Sequence, residues 1–194
     1  MHETVPAIAE EVSPMVKSRI DVRELQRPIR ERYAGEPDAA RHELRAHSAE
    51  SDLADPLHCS IAAGGTVIRS GTHPAAGGVG DVACSGDLLL ASLAACQETT
   101  LRMVAANMGI DLVSVHVDVT GDWDARGTLG IPGVPIGITA IRCRTEVVVA
   151  GDERGERADR LLRSAEKYCV ILNTLRAGVP VDSQFTLRTT EERA

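Results

Sequence analysis

The 194-residue chain carries five cysteines, and two of them stand where a thiol could do chemistry. Cys96 lies inside the apolar run DLLLASLAACQETTLRM, and Cys169 lies in KYCVILNTLRAGVPV, 73 residues later. That separation is too long for a CxxC redox motif or a local metal clip. A cysteine on a buried helix, matched by one beside a later helix, is the layout of a thiol that attacks and a thiol that resolves. A thiol attacks only as thiolate, and apolar burial disfavours the charged form. Cys96 therefore needs an activating base or cation from another element. Cys169, beside a helix start, would gain from the helix dipole and have a lowered pKa. The plainer reading of each is a small apolar core residue, and spacing alone leaves both readings open.

The remaining cysteines are weaker candidates. Cys59 and Cys143 fall on expected strands and read as packing residues, while Cys84 in ACSGD is close enough to the central helix to feel its dipole. His73, Cys84 and Cys59 lack the close spacing of zinc ligands, so no metal site is expected. In GDWDARGTLGI, Asp122 and Asp124 lack the glycine and downstream glutamate of a calcium loop. That segment reads as a strand end and turn that sets Trp123 or Arg126 against a neighbour. His73, in a glycine-rich loop, either lines a pocket or lies on the surface. GxSxG, HExxH, Walker and Rossmann patterns are missing from the sequence.

Composition limits the function classes. A net charge of −7, with basic residues interleaved among acids, argues against a nucleic-acid surface. The longest apolar stretch, 88–96, is far short of the ~20 residues of a membrane span. With no secretory pattern in the first 20 residues and an odd cysteine count, the expectation is reduced thiols in the cytoplasm. Only four aromatics (Tyr33, Trp123, Tyr168 and Phe185) leave an aliphatic core, which favours packing completed by oligomerisation.

The elements that would position the thiols follow from periodicity and punctuation. Residues 1–20 read as loose, 21–33 as a helix, and 37–46 as helix passing into strand. SAESDLADP separates them from a hairpin of HCSIAAGG and TVIRSG, and a glycine-rich loop follows over 72–87. A central helix is expected over 87–108, with Ser85 as N-cap and Gly109 at its left-handed end. Its first half is apolar nearly all round, as in a helix buried on most sides. Val113, Val115, Val117 and Val119 alternate with polar residues as a half-buried strand, paired with a second strand over 139–149. Asp152 is the expected cap of a helix reaching Tyr168. A short helix between Asn173 and Gly178 and a last strand over 181–188 complete an α+β domain with antiparallel sheet.

The blocks ACSGDLLLASLAACQETTL and YCVILNTL together resemble the OsmC/Ohr superfamily of peroxide-detoxifying proteins, and GDWDARGTLG is similar to its OsmC-like branches. The resemblance covers 40–187, so residues 1–39 would be a partly helical N-terminal extension and 40–194 the OsmC-like domain. It implies an intertwined homodimer in which antiparallel sheets wrap central helices. It further implies a role in oxidative stress defence: Cys96 as the peroxidatic thiolate on a small organic hydroperoxide, and Cys169 as the resolving thiol. Their disulfide would be reduced by an external dithiol such as dihydrolipoamide, with no resident cofactor. The family's activating glutamate position, ten residues before the reactive cysteine, holds Gly86 here. Asp87, Glu98 and His73 are the nearby candidates for an activating or pocket role. The first hairpin loop lacks the family's arginine, leaving Arg45 and Arg69 as substitutes, and Val170 replaces the usual proline after the second cysteine. The other readings are a non-enzymatic, ligand-binding or redox-sensing homodimer, and acyl transfer by Cys96, for which the sequence offers no Cys–His pair.

Overall fold

The computed structural model describes residues 20–151 and 155–188. The expected loose segment at 1–19 and the Asp152 cap lie outside them. Helix α1 spans Val22–Gly35 and is capped by Asp21, whose carboxylate accepts from the N–H groups of Arg23 and Glu24 at 3.0 and 3.2 Å. A 3-10 turn, Pro37–Ala40, follows. Strands β1 (Ala46–Ser48), β2 (His58–Ala63) and β3 (Thr66–Gly71) form an antiparallel sheet in that order. The β2–β3 hairpin closes through Gly64 and Gly65, both at positive φ as a two-residue turn of this kind requires.

The central helix, α2, runs over Ser85–Met108. Its N-cap is Cys84 rather than the expected Ser85, because Asp87 reaches back to accept the Cys84 N–H at 2.9 Å. Gly109 ends it in the left-handed conformation, as expected from sequence. The Arg157 guanidinium donates to the carbonyls of Met108 and Gly109 at 2.7 and 3.1 Å, and Arg23 of α1 donates to that of Asn107. Two cations thus sit at the negative end of the α2 dipole.

Strand β4 (Leu112–Trp123) and strand β5 (Ile138–Val149) form an antiparallel pair, joined through a short helix, α3 (Ala125–Thr128). Val115, Val117 and Val119 are half-buried on the face toward α2, while the alternate residues are exposed. Helix α4 (Glu156–Tyr168) packs on α2, and helix α5 (Val170–Ala177) follows after the single extended residue Cys169. Leu93, Gln97, Leu101 and Ala105 form one buried ridge of α2 at four-residue spacing. Ile110, Leu161 and Ala165 are buried with the apolar members of that ridge.

Two expectations are corrected. Helix α5 begins at Val170, not at Asn173, because the extended backbone of Cys169 ends α4 and starts the next helix at once. The last strand, 181–188, has no ladder partner and no regular structure in the described chain. Its alternating Val181, Phe185 and Leu187 are 84, 95 and 91% exposed, a strand pattern without a sheet edge to join.

The loop between β3 and α2 is tied to the three-stranded sheet by charge. His58, 12% exposed, lies between Asp55 at 2.7 Å and Asp81 at 2.8 Å, and Arg69 reaches Asp81 at 3.2 Å. Gly71 leaves room for this ring, since a Cβ there would sit 2.9 Å from it. The hydrogen bonds to Asp81 and then Asp55 raise the His58 pKa, and the same bonds lower those of both carboxylates. The His58 contribution to stability is complete below its unfolded pKa of ~6.5 and disappears as pH rises through the elevated folded value. A melting-temperature series from pH 6 to 9 should fall more steeply for wild type than for His58→Asn.

Candidate active site

Cys96 lies at the middle of α2, and the first turn of α5 is aimed at its sulfur. Burial alone would raise the Cys96 pKa, but the Ile171 N–H, the Cys169 thiol, the Thr100 hydroxyl and the Val170 N–H all favour its thiolate, and the net shift is downward. Thr100 Oγ1 stands 4.0 Å from Sγ, one turn along the same helix. The principal activating groups are therefore uncharged donors, two of them at a helix N-terminus where unsatisfied N–H groups and the dipole favour an anion.

Cys169 is fully buried, and its thiol is near enough to Cys96 for each to bias the ionisation of the other. Its pKa moves up, first through burial and also through the neighbouring Cys96 and Cys143, although the Leu172 N–H favours its thiolate. This reverses the expectation that Cys169 would profit from the helix start. Its sulfur lies in the dry interior, while the two leading N–H groups of α5 serve Cys96. Both cysteines are free thiols.

The corner carrying Cys169 is fastened by Asn173. Its Nδ2 donates to the carbonyls of Cys169 at 2.8 Å, Lys167 at 3.1 Å and Glu166 at 3.4 Å, joining the end of α4 to the start of α5. Arg176 of α5 pairs with Glu166 of α4 at 2.7 Å across the same corner.

The other expected site residues have different partners. Asp87 is engaged with the Cys84 N–H, nine residues before Cys96 and so about 13 Å away along the helix axis. Glu98 pairs with Arg102 at 3.1 Å, Arg45 with Glu43 at 2.8 Å, and Arg69 with Asp81. His73 accepts the Ala75 N–H and meets Trp123 edge-on at 5.2 Å, lining with Cys84 and Gly86 a separate cleft of about 440 Å³. Trp123 thus packs against a neighbour as the sequence suggested, and its Nε1 donates to Thr128 at 3.2 Å. Among the described residues no group of His, Cys, Asp or Glu could hold a metal ion, and no helix is long and apolar enough to cross a membrane.

Beside the thiol pair lies a cleft of about 620 Å³ between α2, β5, α4 and α5. Gln97 and Cys143 line it, and sequence reasoning gave neither a role. Cys143 is exposed rather than packed, with its pKa raised chiefly by desolvation. The α5 amides were not readable as a thiolate cradle, since nothing local links 96 to 170–171, whereas Thr100 was within reach as the i+4 neighbour of Cys96. For the amides the one available signal was Cys169 itself, placed at a helix start.

With this geometry in view, the comparisons with known proteins are consistent. The model of the OsmC-like protein family matches residues 78–184, and the chain belongs to that family. No curated protein matches the chain. Among solved structures it is similar to an OsmC-like protein from Mycoplasma pneumoniae, with TM-score 0.56 and 18% identity over 71% of this chain and 89% of the other. It is also similar to an OsmC-like protein of unknown function from Vibrio cholerae, with TM-score 0.55 and 14% identity over 69% and 94%. An organic hydroperoxide resistance protein from Elizabethkingia anophelis matches with TM-score 0.51 and 17% identity over 72% and 91%. Identities this low establish the shared α+β fold.

The cradle makes a prediction about thiol titration. In pH-dependent alkylation followed by peptide mapping, Cys96 should react with a midpoint below that of an ordinary thiol and well below that of Cys169. Thr100→Val removes one donor, and Val170→Pro removes another at a helix position where proline is tolerated. At about 1 kcal/mol per hydrogen bond, each should raise the Cys96 midpoint by roughly 0.7 pH units.

Proposed function

We propose that the chain is a thiol peroxidase that reduces organic hydroperoxides, working as a homodimer. The observation that supports this is the neighbouring pair of thiols in an OsmC-like chain, Cys96 drawn toward thiolate and Cys169 held as thiol. That ordering favours Cys96 as the attacking thiol and Cys169 as the resolving one. The Cys96 thiolate attacks the terminal oxygen of the hydroperoxide, the O–O bond breaks, and the alkoxide leaves as an alcohol after taking a proton. Cys96 is then a sulfenic acid. Cys169 loses its proton and attacks the Cys96 sulfur, releasing water and forming the Cys96–Cys169 disulfide. An external dithiol, of the dihydrolipoamide type, returns both thiols by exchange. A reducing compartment such as the cytoplasm suits this cycle. The α5 N-terminus would take the part that the glutamate and arginine have in the resemblance, a role compatible with Gly86 and with an arginine-free first loop.

A second reading, ligand binding without turnover, is favoured by the cleft beside the thiols and by the lack of a charged group among the principal activators of Cys96. Single-turnover oxidation decides between them. One equivalent of cumene hydroperoxide should give a Cys96–Cys169 disulfide by mass mapping. Cys169→Ser should instead accumulate a trappable sulfenic acid at Cys96, and Cys96→Ser should leave Cys169 reduced. Slow oxidation spread over all five cysteines would remove the peroxidase reading.

The homodimer is supported by apolar surface that one chain leaves uncovered. No described helix lies across the three-stranded sheet, and Val179, Val181, Phe185 and Leu187 project from an unpaired segment. Light scattering should give twice the chain mass at micromolar concentration. Truncation after Gly178 should shift the equilibrium toward monomer, and a monomeric wild type would remove this part of the proposal.

A further inference from the structure

The cleft beside the thiols contains an unmet polar demand. Gln97 occupies the second position of the buried α2 ridge whose other members are Leu93, Leu101 and Ala105, so a polar side chain stands where an aliphatic one would pack. It is 9% exposed and faces the cleft of about 620 Å³. Among the described residues, Gln97 Oε1 is the one buried side-chain polar atom without a hydrogen-bond partner. An acceptor stripped of water with nothing in return is costly, and native folds keep such groups where something else uses them.

The walls indicate what could use it. Leu93, Ile138, Ile141, Leu162, Leu172 and Leu175 give the cleft an aliphatic side, and Thr139 and Thr145 of β5 add hydroxyls to it. At its rim Glu166 and Arg176 neutralise each other at 2.7 Å, leaving no net charge to recruit an ion. The volume is in the range of small-molecule pockets, and a few placed polar groups in an apolar lining are how such pockets select.

We infer that this cleft binds a small aliphatic molecule ending in a neutral hydrogen-bond donor, an alcohol, whose hydroxyl donates to Gln97 Oε1. An alcohol is preferred over an ether of the same length because both can accept a hydrogen bond but only the alcohol can also donate one to Gln97 Oε1. The selection stands on the cleft alone and does not require Cys96 to react.

The test uses the full-length reduced protein with 1-octanol and its acceptor-only analogue, methyl octyl ether, titrated by calorimetry. Wild type should bind octanol about tenfold more tightly than the ether, the factor expected of one hydrogen bond. Octanol, and not the ether at the same concentration, should protect the cleft cysteine Cys143 from alkylation. Gln97→Leu should erase the preference and should melt at or above the wild-type temperature, since it replaces an orphan acceptor with the residue type of its own ridge. Equal affinities in wild type, no saturable binding, or a preference that persists in Gln97→Leu would each overturn the inference. So would a lower melting temperature for Gln97→Leu, which would mean that a second copy of the chain already satisfies Gln97.

Discussion

A half-buried thiol is drawn toward thiolate only where donors offset the water it has lost, and around Cys96 those donors are Thr100 and the first turn of α5. The geometry of the surrounding elements follows from that need. Helix α4 must stop where it does, Cys169 must be extended, and α5 must restart at once, so that the amides of residues 170 and 171 reach the middle of α2. A longer connection between the two helices would leave those N–H groups to solvent and Cys96 to the desolvation that ordinarily silences a buried cysteine.

The same arrangement makes the two cysteines unequal without a charged residue. One sulfur lies on α2 and draws on the N-terminus of α5 from outside that helix, while the other belongs to the extended residue that precedes it and is fully buried. Their proximity reinforces the inequality, because a thiol beside a neighbouring thiolate stabilises it and is itself made harder to ionise. Dipole and desolvation thus favour an order of ionisation that a Glu–Arg pair would favour by Coulombic attraction. The departures at Gly86 and in the first loop are compatible with a site activated by backbone.

Much of the architecture was legible because it is local. Valine alternation marked β4, Gly109 marked the end of α2, and the all-round apolar stretch marked α2 itself. The site was legible only in its sulfur atoms. What acts on Cys96 is main chain 74 and 75 residues away in sequence, and amides have no signature in a sequence. The error over Cys169 has the same origin: a helix start can be read locally, but which sulfur faces it is tertiary information. Gln97 was invisible for a different reason, since its ridge is defined by burial and a glutamine after a cysteine looks like any polar helix residue. The segment at 181–188 had the pattern of a strand, but pairing is a property of the edge it meets and not of the pattern.

Asn173 gives the corner a mechanical character. One carboxamide holds three carbonyls contributed by the end of α4 and by Cys169, so the two helices are riveted where they meet. Drawing Cys169 toward Cys96 into a covalent bond would then pull on a lever and not on a loose hinge. At its other end the same helix carries Arg157, whose guanidinium holds the terminal carbonyls of α2. Helix α4 is thus pinned at both ends, by Asn173 beside the thiols and by Arg157 where α2 stops.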